Sequence, residues 1–158
     1  MGHQTLFRND RRSHTHQSAS LAVATNLYEA FDRGDIAGVL ALLHPAVEWR
    51  EAEGNPYRPD GSPWIGPQDI LTEYFARLGG DWDDFGLHGL VLTETAQGVL
   101  TEGRYYGTFK ATGRSVDMQV AHVLRIQDGL LTHFQQYIDT ATYRWAMGVA
   151  SPHGEGDA

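Results

Sequence analysis

The chain has 158 residues, no cysteine and a formal net charge of -8, from 12 Lys and Arg against 20 Asp and Glu. This length predicts one domain with a sizeable core, and the lack of cysteine excludes disulfides, thiolate catalysis and sulfur-based zinc sites. The acidic balance argues against nucleic acid or anionic membranes as partners, and no apolar run approaches the ~20 residues of a membrane-spanning helix.

The first 18 residues are polar and basic without a sustained hydrophobic period, so we expect residues 1–18 to form a flexible leader. A single domain is expected over residues 19–148, and the polar end of the chain, 149–158, is expected to be a flexible tail. The N-terminus lacks the apolar core of a signal peptide, which favours a cytoplasmic protein.

Three helices are predicted in the first half of the domain. The first ends at Gly34, and the second is capped by Asp35 and ends before Pro45. The third opens with Pro67 at its first helical position. Between the second and third helices, the sequence predicts a short strand over residues 47–51 and a Pro- and Gly-rich loop that is long enough to act as a lid.

The second half of the chain is predicted to be a meander of antiparallel strands. The strands cover residues 87–95, 99–110, 115–126 and 130–141, separated by the turn dipeptides Gln97-Gly98, Thr112-Gly113 and Asp128-Gly129. Helices followed by a twisted antiparallel sheet give an α+β domain with the helices on one sheet face. A sheet that curls around them makes a cone with a pocket at its open end, although another α+β sandwich fits the pattern nearly as well.

The last hairpin, residues 116–139, is predicted to form the pocket floor. A type I′ turn at Asp128-Gly129 would pair His122 with Gln135 and Val120 with Tyr137. On this register the pocket face carries five polar side chains, namely His122, His133, Gln135, Tyr137 and Asp139. The opposite face carries Gln119, Ala121, Val123, Thr132, Phe134, Gln136 and Ile138. Its exposed apolar members predict a homodimer through the outer sheet face.

Three ionisable residues are candidates for chemistry. Burial at the pocket mouth should raise the pKa of Asp139, as an acid/base group near neutral pH requires, unless Asp139 instead caps the following helix. His122 could polarise a substrate carbonyl, or could simply be satisfied by Gln135. Glu51 lies beside the Trp49 indole, and could assist the reaction or pair with a rim arginine.

Aromatic side chains are the candidates for contacting a ligand. Trp49, Trp64, Phe75 and Tyr106 could line the pocket beside Gln135 and Tyr137, although aromatics at such spacing are also common in plain cores. No His-x-His or His-x-x-x-His pair occurs on the predicted sheet, so no metal site is expected. The sequence also contains no glycine-rich phosphate loop and no Gly-x-Ser-x-Gly motif.

Three segments, HPAVEWREAEG, GPQDILTEYFARLGG and EGRYYGTFKATGRSVDMQVAHVLRIQDGLLTHFQQYIDTAT, resemble the SnoaL-like branch of the nuclear-transport-factor-2-like superfamily, which includes ketosteroid isomerase. The resemblance covers about residues 20–145 and implies the cone fold, usually as a homodimer. It also implies that Asp139 is the acid/base aspartate of the cyclases and that His122 occupies a pocket position. Glu51 falls at the position of the isomerase's proton-shuttling carboxylate.

These observations predict a cofactor-independent acid/base enzyme of cyclase or isomerase type. Its substrate would be a polyketide-like or other apolar cyclic carbonyl compound, with Asp139 as acid/base and His122 and Gln135 steadying the enolate. The alternative is a non-catalytic ligand-binding or dimerisation module with the same fold, because a fold does not fix a function.

Overall fold

The computed structural model describes residues 4–8 and 17–150. The elements in chain order are α1 (Ala19–Asp32), α2 (Ile36–Ala41), β1 (Leu43–Arg50), β2 (Trp64–Ile65), α3 (Pro67–Asp69), a π-helical segment (Ile70–Phe75), α4 (Ala76–Asp81), β3 (Trp82–Thr95), β4 (Gly98–Phe109), β5 (Arg114–Gln127), β6 (Leu130–Ile138) and α5 (Thr140–Met147). None of the helices in this described part is long and apolar enough to cross a membrane.

The first two helices begin at capping side chains, and the second has the Asp35 cap that the sequence predicts. The Ser18 hydroxyl accepts a hydrogen bond from the Leu21 amide, and the Asp35 carboxylate accepts one from the Gly38 amide at 2.8 Å. The end of α2 differs from the prediction, because β1 already begins at Leu43 and that residue pairs with β6. His44 and Pro45 therefore lie inside a strand rather than at the end of a helix.

The third predicted helix consists of α3, the π-helical segment and α4 in unbroken succession. It opens with Pro67 at the first helical position, as predicted. In the middle, the Ala76 amide bonds the Leu71 carbonyl five residues earlier, which is the π-helical pattern. This wider turn buries Ile70, Tyr74 and Phe75 together against the sheet.

The six strands form one sheet in the order β2-β1-β6-β5-β4-β3. Strand β1 runs parallel to β6, and every other neighbouring pair is antiparallel. The predicted meander from β3 to β6 is confirmed, with turns at Thr112-Gly113 and Asp128-Gly129 as predicted. The first turn differs by one residue, because it consists of Ala96-Gln97 and Gly98 already pairs with Thr95. The sheet curls around the helices, with α1 against β3, β4 and β5, so the predicted α+β architecture is confirmed.

The hairpin between β5 and β6 contains a β-bulge that the sequence analysis missed. Next to the turn, Ile126 pairs with Leu131 as predicted, but Arg125 then pairs with His133. Thr132 is the extra residue, and its hydroxyl donates to the Arg125 carbonyl at 3.2 Å. A shift of one residue moves every following side chain to the opposite face. The predicted register is therefore wrong beyond the first pairs.

The bulge exchanges the two faces of β6. Phe134 and Gln136 are buried, although they were predicted on the outer face. Tyr137 is 58% exposed, although it was predicted in the pocket. Gln135 and His133 alternate along β6 in step with Tyr137, so they also lie on the outer face. His122 pairs with Gln136 rather than with Gln135.

Part of the predicted leader is attached to the sheet. Phe7 forms a bridge with Leu90 on β3, and both Leu6 and Phe7 pack against the core. Residues 1–3 and 9–16 of the predicted flexible leader, and residues 151–158 of the predicted flexible tail, lie outside the described residues.

Phe134→Ala should lower the free energy of unfolding by about 3–5 kcal/mol, because it empties a buried site in which the ring stacks on Trp49. Tyr137→Ala is the matched truncation on the same strand. It should change stability by less than about 0.5 kcal/mol, because the Tyr137 ring is exposed. Chemical denaturation at low protein concentration measures both free energies of unfolding. A larger loss for Tyr137→Ala than for Phe134→Ala would show that Tyr137 faces the core, as the register without a bulge predicts.

Candidate functional site

A cavity of about 340 Å³ opens between α1, the π-helical segment and the concave face of the sheet. Its volume lies within the ~300–1,000 Å³ range of small-molecule sites. The walls are mainly aromatic and aliphatic, with large contributions from Phe31, Trp49, Phe75, Leu78, Phe85 and Phe134. Such walls favour an apolar ligand with one or more rings.

Three polar side chains meet on the cavity surface. His122 on β5 is bonded on both ring nitrogens: the Tyr28 hydroxyl lies 2.7 Å from Nδ1, and the Tyr105 hydroxyl lies 2.9 Å from Nε2. All three residues are buried and line the cavity. Tyr28 comes from α1 and Tyr105 from β4, so two sheet strands and a helix converge here.

The imidazole at the centre of this group is neutral. Burial lowers the pKa of His122 to about 3, far below neutral pH. A neutral imidazole donates through one nitrogen and accepts at the other. It therefore accepts a hydrogen bond from one tyrosine and donates one to the other. The tyrosine that accepts keeps its own hydroxyl proton available for a further acceptor.

The aromatic wall fixes the position of this polar group. Trp49 stacks on Phe134 with ring centroids 3.7 Å apart, and Phe75 meets the Trp49 ring edge to face at 5.4 Å. The Phe134 ring in turn lies 4.5 Å from the His122 ring. Because these rings interlock, the imidazole has little freedom to leave its two tyrosines.

Glu51 lies behind the wall rather than on it. The carboxyl is 2% exposed, accepts the Trp49 indole N–H at 2.7 Å and accepts the Asn55 amide at 3.4 Å. Burial raises the pKa of Glu51 to about 7, against a smaller lowering by the Trp49 hydrogen bond. Arg58 pairs with Glu73 and Arg104 with Asp117, so these two rim arginines do not neutralise Glu51.

Gln136 connects the surroundings of Glu51 to the hydrogen-bonded group of Tyr28, His122 and Tyr105. Its side-chain carbonyl accepts from the Ala52 amide at 3.4 Å and from the Asn55 side chain at 3.5 Å. Its side-chain amide donates to the Tyr105 hydroxyl at 3.4 Å. These long bonds form a continuous buried path from the neighbours of Glu51 to the tyrosine on the cavity surface.

Asp139 is placed differently from the prediction. Its carboxylate caps α5, accepting from the Thr142 amide at 3.0 Å and from the Thr142 hydroxyl at 2.7 Å. These bonds lower the pKa of Asp139, and the residue is not among those lining the cavity. The predicted rise in pKa is therefore wrong, and the alternative of a helix cap is confirmed.

The other predicted contact residues divide between the cavity and its surroundings. Trp49, Phe75 and Tyr106 line the cavity. Trp64 is buried outside it, where the indole donates to Glu73 at 3.0 Å and stacks on Tyr74. Gln135 and Tyr137 lie on the other face of the sheet. Within residues 4–8 and 17–150, no three His, Asp or Glu side chains converge on one point.

The residues of the site that the sequence analysis did not assign to it include Tyr28, Asp32, Tyr105, Phe134 and Gln136. Tyr105 could have been found from strand parity, because it alternates with the buried Val99 and Thr101 on β4. Tyr28 follows Ala24 by one helical turn on the buried side of α1. Phe134 and Gln136 could not be assigned without the bulge.

The fold and cavity define a pocket protein of the NTF2-like class. An NTF2-like protein from Burkholderia thailandensis E264 is 34% identical, with a TM-score of 0.75 over 84% of this chain and 98% of that chain. TerC, co-crystallised with polyporic acid, is 23% identical, with a TM-score of 0.74 over 83% of this chain and 99% of its own. A candidate polyketide cyclase from Xanthomonas campestris pv. campestris is 20% identical, with a TM-score of 0.68 over 83% and 96%.

The sequence profile of the SnoaL-like domain matches residues 24–134, which is most of the chain. The chain therefore belongs to the SnoaL-like family, as its sequence segments predict. No protein with a curated description matches the sequence significantly.

Replacing Glu51 with Gln should change how stability depends on pH. With the pKa raised from its ordinary 4.5 to about 7, the folded protein retains a proton that the unfolded chain releases. Glu51 therefore costs stability progressively as pH rises from 4.5 to 7. Over that window, Glu51→Gln should gain roughly 3 kcal/mol of unfolding free energy relative to wild type.

His122 acts in the opposite direction, because its lowered pKa makes the folded protein lose stability as pH falls from 6.5 towards 3. Subtracting the wild-type curve from that of the Glu51→Gln variant removes this contribution. Denaturant titrations at several pH values provide the curves, and Glu48→Gln on β1, three residues before Glu51, serves as the partly exposed control. A Glu51→Gln difference that stays constant with pH would show that Glu51 is charged in the folded protein.

Proposed function

We propose that this protein is a cofactor-independent acid/base enzyme that acts on a small, apolar cyclic carbonyl compound. The observation that carries the proposal is the hydrogen-bonded group of Tyr28, His122 and Tyr105 on the surface of an otherwise apolar cavity. A carbonyl oxygen that gains negative charge as an enolate forms needs donors of this kind.

The chemistry follows from the surroundings of these donors. A phenol whose pKa is raised by burial, as in Tyr105, keeps its proton and can donate it to a developing oxyanion. The apolar walls exclude water, which strengthens this interaction, and the interlocked rings hold the donors in place before the substrate arrives. We assign Tyr105 to the substrate oxygen, because it can accept from His122 and from the Gln136 side-chain amide and still donate its own proton. Tyr28 then donates to the other nitrogen of His122, and His122 orients Tyr105.

The proton-transfer group is a different residue from the one the sequence suggested. Asp32, at the end of α1, is the carboxyl that lines the cavity within the described residues, and we assign it the transfer of the α-proton. Glu51 does not touch the cavity. We infer that it is a positioning residue, because it holds the indole of Trp49, which forms part of the wall.

The solved relatives support a small organic ligand without specifying it. TerC was crystallised with polyporic acid, and another relative of the same fold is a candidate polyketide cyclase. Both fall below 25% identity and share only the fold with this chain. We therefore infer the cyclic carbonyl class from the apolar walls and hydrogen-bond donors of the cavity. Within that class, membership of the SnoaL-like family favours a polyketide-like substrate.

A second function has a specific observation in its favour. Both nitrogens of His122 and both oxygens of Asp139 are engaged in internal hydrogen bonds, and the Glu51 carboxyl is also bonded. A pocket whose central imidazole has no free nitrogen could bind a ligand without reacting with it. The alternative is therefore a binding module that recognises the same kind of molecule.

Exchange of α-protons in a bicyclic ketone distinguishes these functions. The wild-type protein should speed the exchange of 2-tetralone protons for deuterium in D₂O above the buffer rate, as measured by NMR. Tyr105→Phe should slow the catalysed exchange at least about 10-fold, a loss of about 1.4 kcal/mol in transition-state stabilisation. Asp32→Asn should abolish it.

Two control variants sharpen this experiment. Tyr106→Phe removes a hydroxyl from a cavity-lining tyrosine that is not bonded to His122, and Asp139→Asn removes the helix-capping carboxylate. Each should leave the exchange rate per folded protein within about two-fold of wild type. Ketone binding without any catalysed exchange would exclude the enzyme and establish the binding module.

We also propose a homodimer through the outer sheet face, with a corrected set of contacts. Val123 and Tyr137 are exposed large side chains on this face, and neighbouring strands place Leu100 and Gln135 beside Val123. An apolar patch on a chain of net charge -8 favours a partner over solvent. Phe134 is buried on the opposite face and takes no part in this surface.

The double variant Val123→Glu/Tyr137→Glu should convert the dimer into a monomer, because it places charges opposite their own copies across a two-fold axis. Light scattering at micromolar concentration measures the mass. Trp145→Glu, at a half-exposed position on α5, is the matched control and should remain dimeric. A wild-type protein that is monomeric under these conditions would contradict the proposal.

A further inference from the structure

Residues 4–8 are held against the edge strand β3 by three backbone hydrogen bonds. The Gly89 amide donates to the Thr5 carbonyl at 3.0 Å, and the Leu90 amide donates to the Leu6 carbonyl at 2.7 Å. The Arg8 amide donates back to the Leu90 carbonyl at 3.0 Å. This short segment therefore extends the sheet beyond its last strand.

Strand β3 has a local irregularity that matches this segment. The pairing with β4 shifts between His88 and Val91, so Gly89 and Leu90 are left out of the ladder. Gly89 has a φ of +65°, a conformation that residues with a side chain rarely adopt. At this bulge, the backbone amides of Gly89 and Leu90 both donate to carbonyls of residues 4–8.

The neighbouring strand also accommodates this irregularity. A Cβ atom at Gly103 on β4 would lie 2.4 Å from the Leu90 side chain, so only glycine leaves room for it. Leu90 is 2% exposed with the segment in place, and the segment bonds both its backbone amide and its backbone carbonyl. Both strands are therefore shaped to receive residues 4–8.

The segment contributes a side chain to the cavity. Leu6 lines it, as do Phe85 and Leu87 of β3, the strand to which the segment is bonded. The SnoaL-like profile begins at residue 24, so this part of the wall lies outside the region that matches the family. The aromatic and polar surfaces of the cavity, in contrast, lie almost wholly inside it.

We propose that Leu6 is a specificity-determining residue, and that residues 4–8 form a fixed wall that limits the size of the ring system the cavity accepts. This inference deepens the proposed function by naming what selects the ligand. It requires only that apolar rings enter the cavity, and it does not depend on enolate chemistry.

Two hydrocarbons that lack any polar group test the wall independently of that chemistry. Fluorescence titration gives the affinities of the full chain for naphthalene and phenanthrene, which differ by one ring. Leu6→Ala should raise the ratio of phenanthrene to naphthalene affinity at least about five-fold, since it enlarges the cavity beside β3. Leu6→Trp should lower this ratio by a similar factor.

Gln4→Ala is the matched control, because Gln4 is an exposed residue of the same segment and does not line the cavity. It should leave the ratio within two-fold of wild type. An unchanged ratio in both Leu6 variants would overturn the proposal, and so would a failure of the wild-type cavity to bind either hydrocarbon.

Hydrogen exchange of two amides tests the docking of the segment without a ligand. In the full chain, the Gly89 and Leu90 amides should be protected by the carbonyls of Thr5 and Leu6. In a chain lacking residues 1–8, both should exchange at least about 10-fold faster, while the Val99 amide on β4 should not change. Equal exchange in the two chains would show that the segment does not form a wall in solution.

Discussion

The β-bulge at Thr132 determines which side chains of β6 reach the interior, and most of the site depends on it. It turns Phe134 inward, where the ring stacks on Trp49 and touches the His122 ring. It also turns Gln136 inward, where the side chain links Tyr105 to the Glu51 neighbourhood. Without the extra residue, the same positions would carry His133, Gln135 and Tyr137, and the cavity wall would lose its aromatic stack.

Burial of polar groups in this wall is costly, and the structure offsets the cost by pairing them. His122 stays neutral because it is desolvated, and its two nitrogens are satisfied by phenols that are themselves kept protonated by burial. Such a group is held in place before a ligand arrives, so binding does not require it to reorganise. Burial raises the pKa of the Glu51 carboxyl to about 7, and protonation of this group avoids the full cost of a buried charge.

Local signals predict much of the fold, whereas the site depends on long-range geometry. The cap at Asp35, the glycine turns and the strand alternation specify the α+β meander because each acts over a few residues. Strand parity placed His122 inside correctly. The bulge at Thr132 and the π-helical turn leave no comparable local pattern, since they arise from packing between distant segments. Asp139 illustrates the limit, because a strand-end aspartate can serve equally well as a helix cap or a pocket acid.

The two sides of the cavity come from different parts of the chain. Tyr28, Tyr105 and His122 lie within the region that matches the SnoaL-like family, whereas Leu6 lies outside it. A substitution in the leader changes the shape of the cavity without disturbing the buried hydrogen bonds, because the segment touches the sheet at its edge strand. Ligand size and ligand chemistry can therefore vary independently. A substitution of Leu6 changes the size of the accepted ligand, while Tyr28, Tyr105 and His122 are retained.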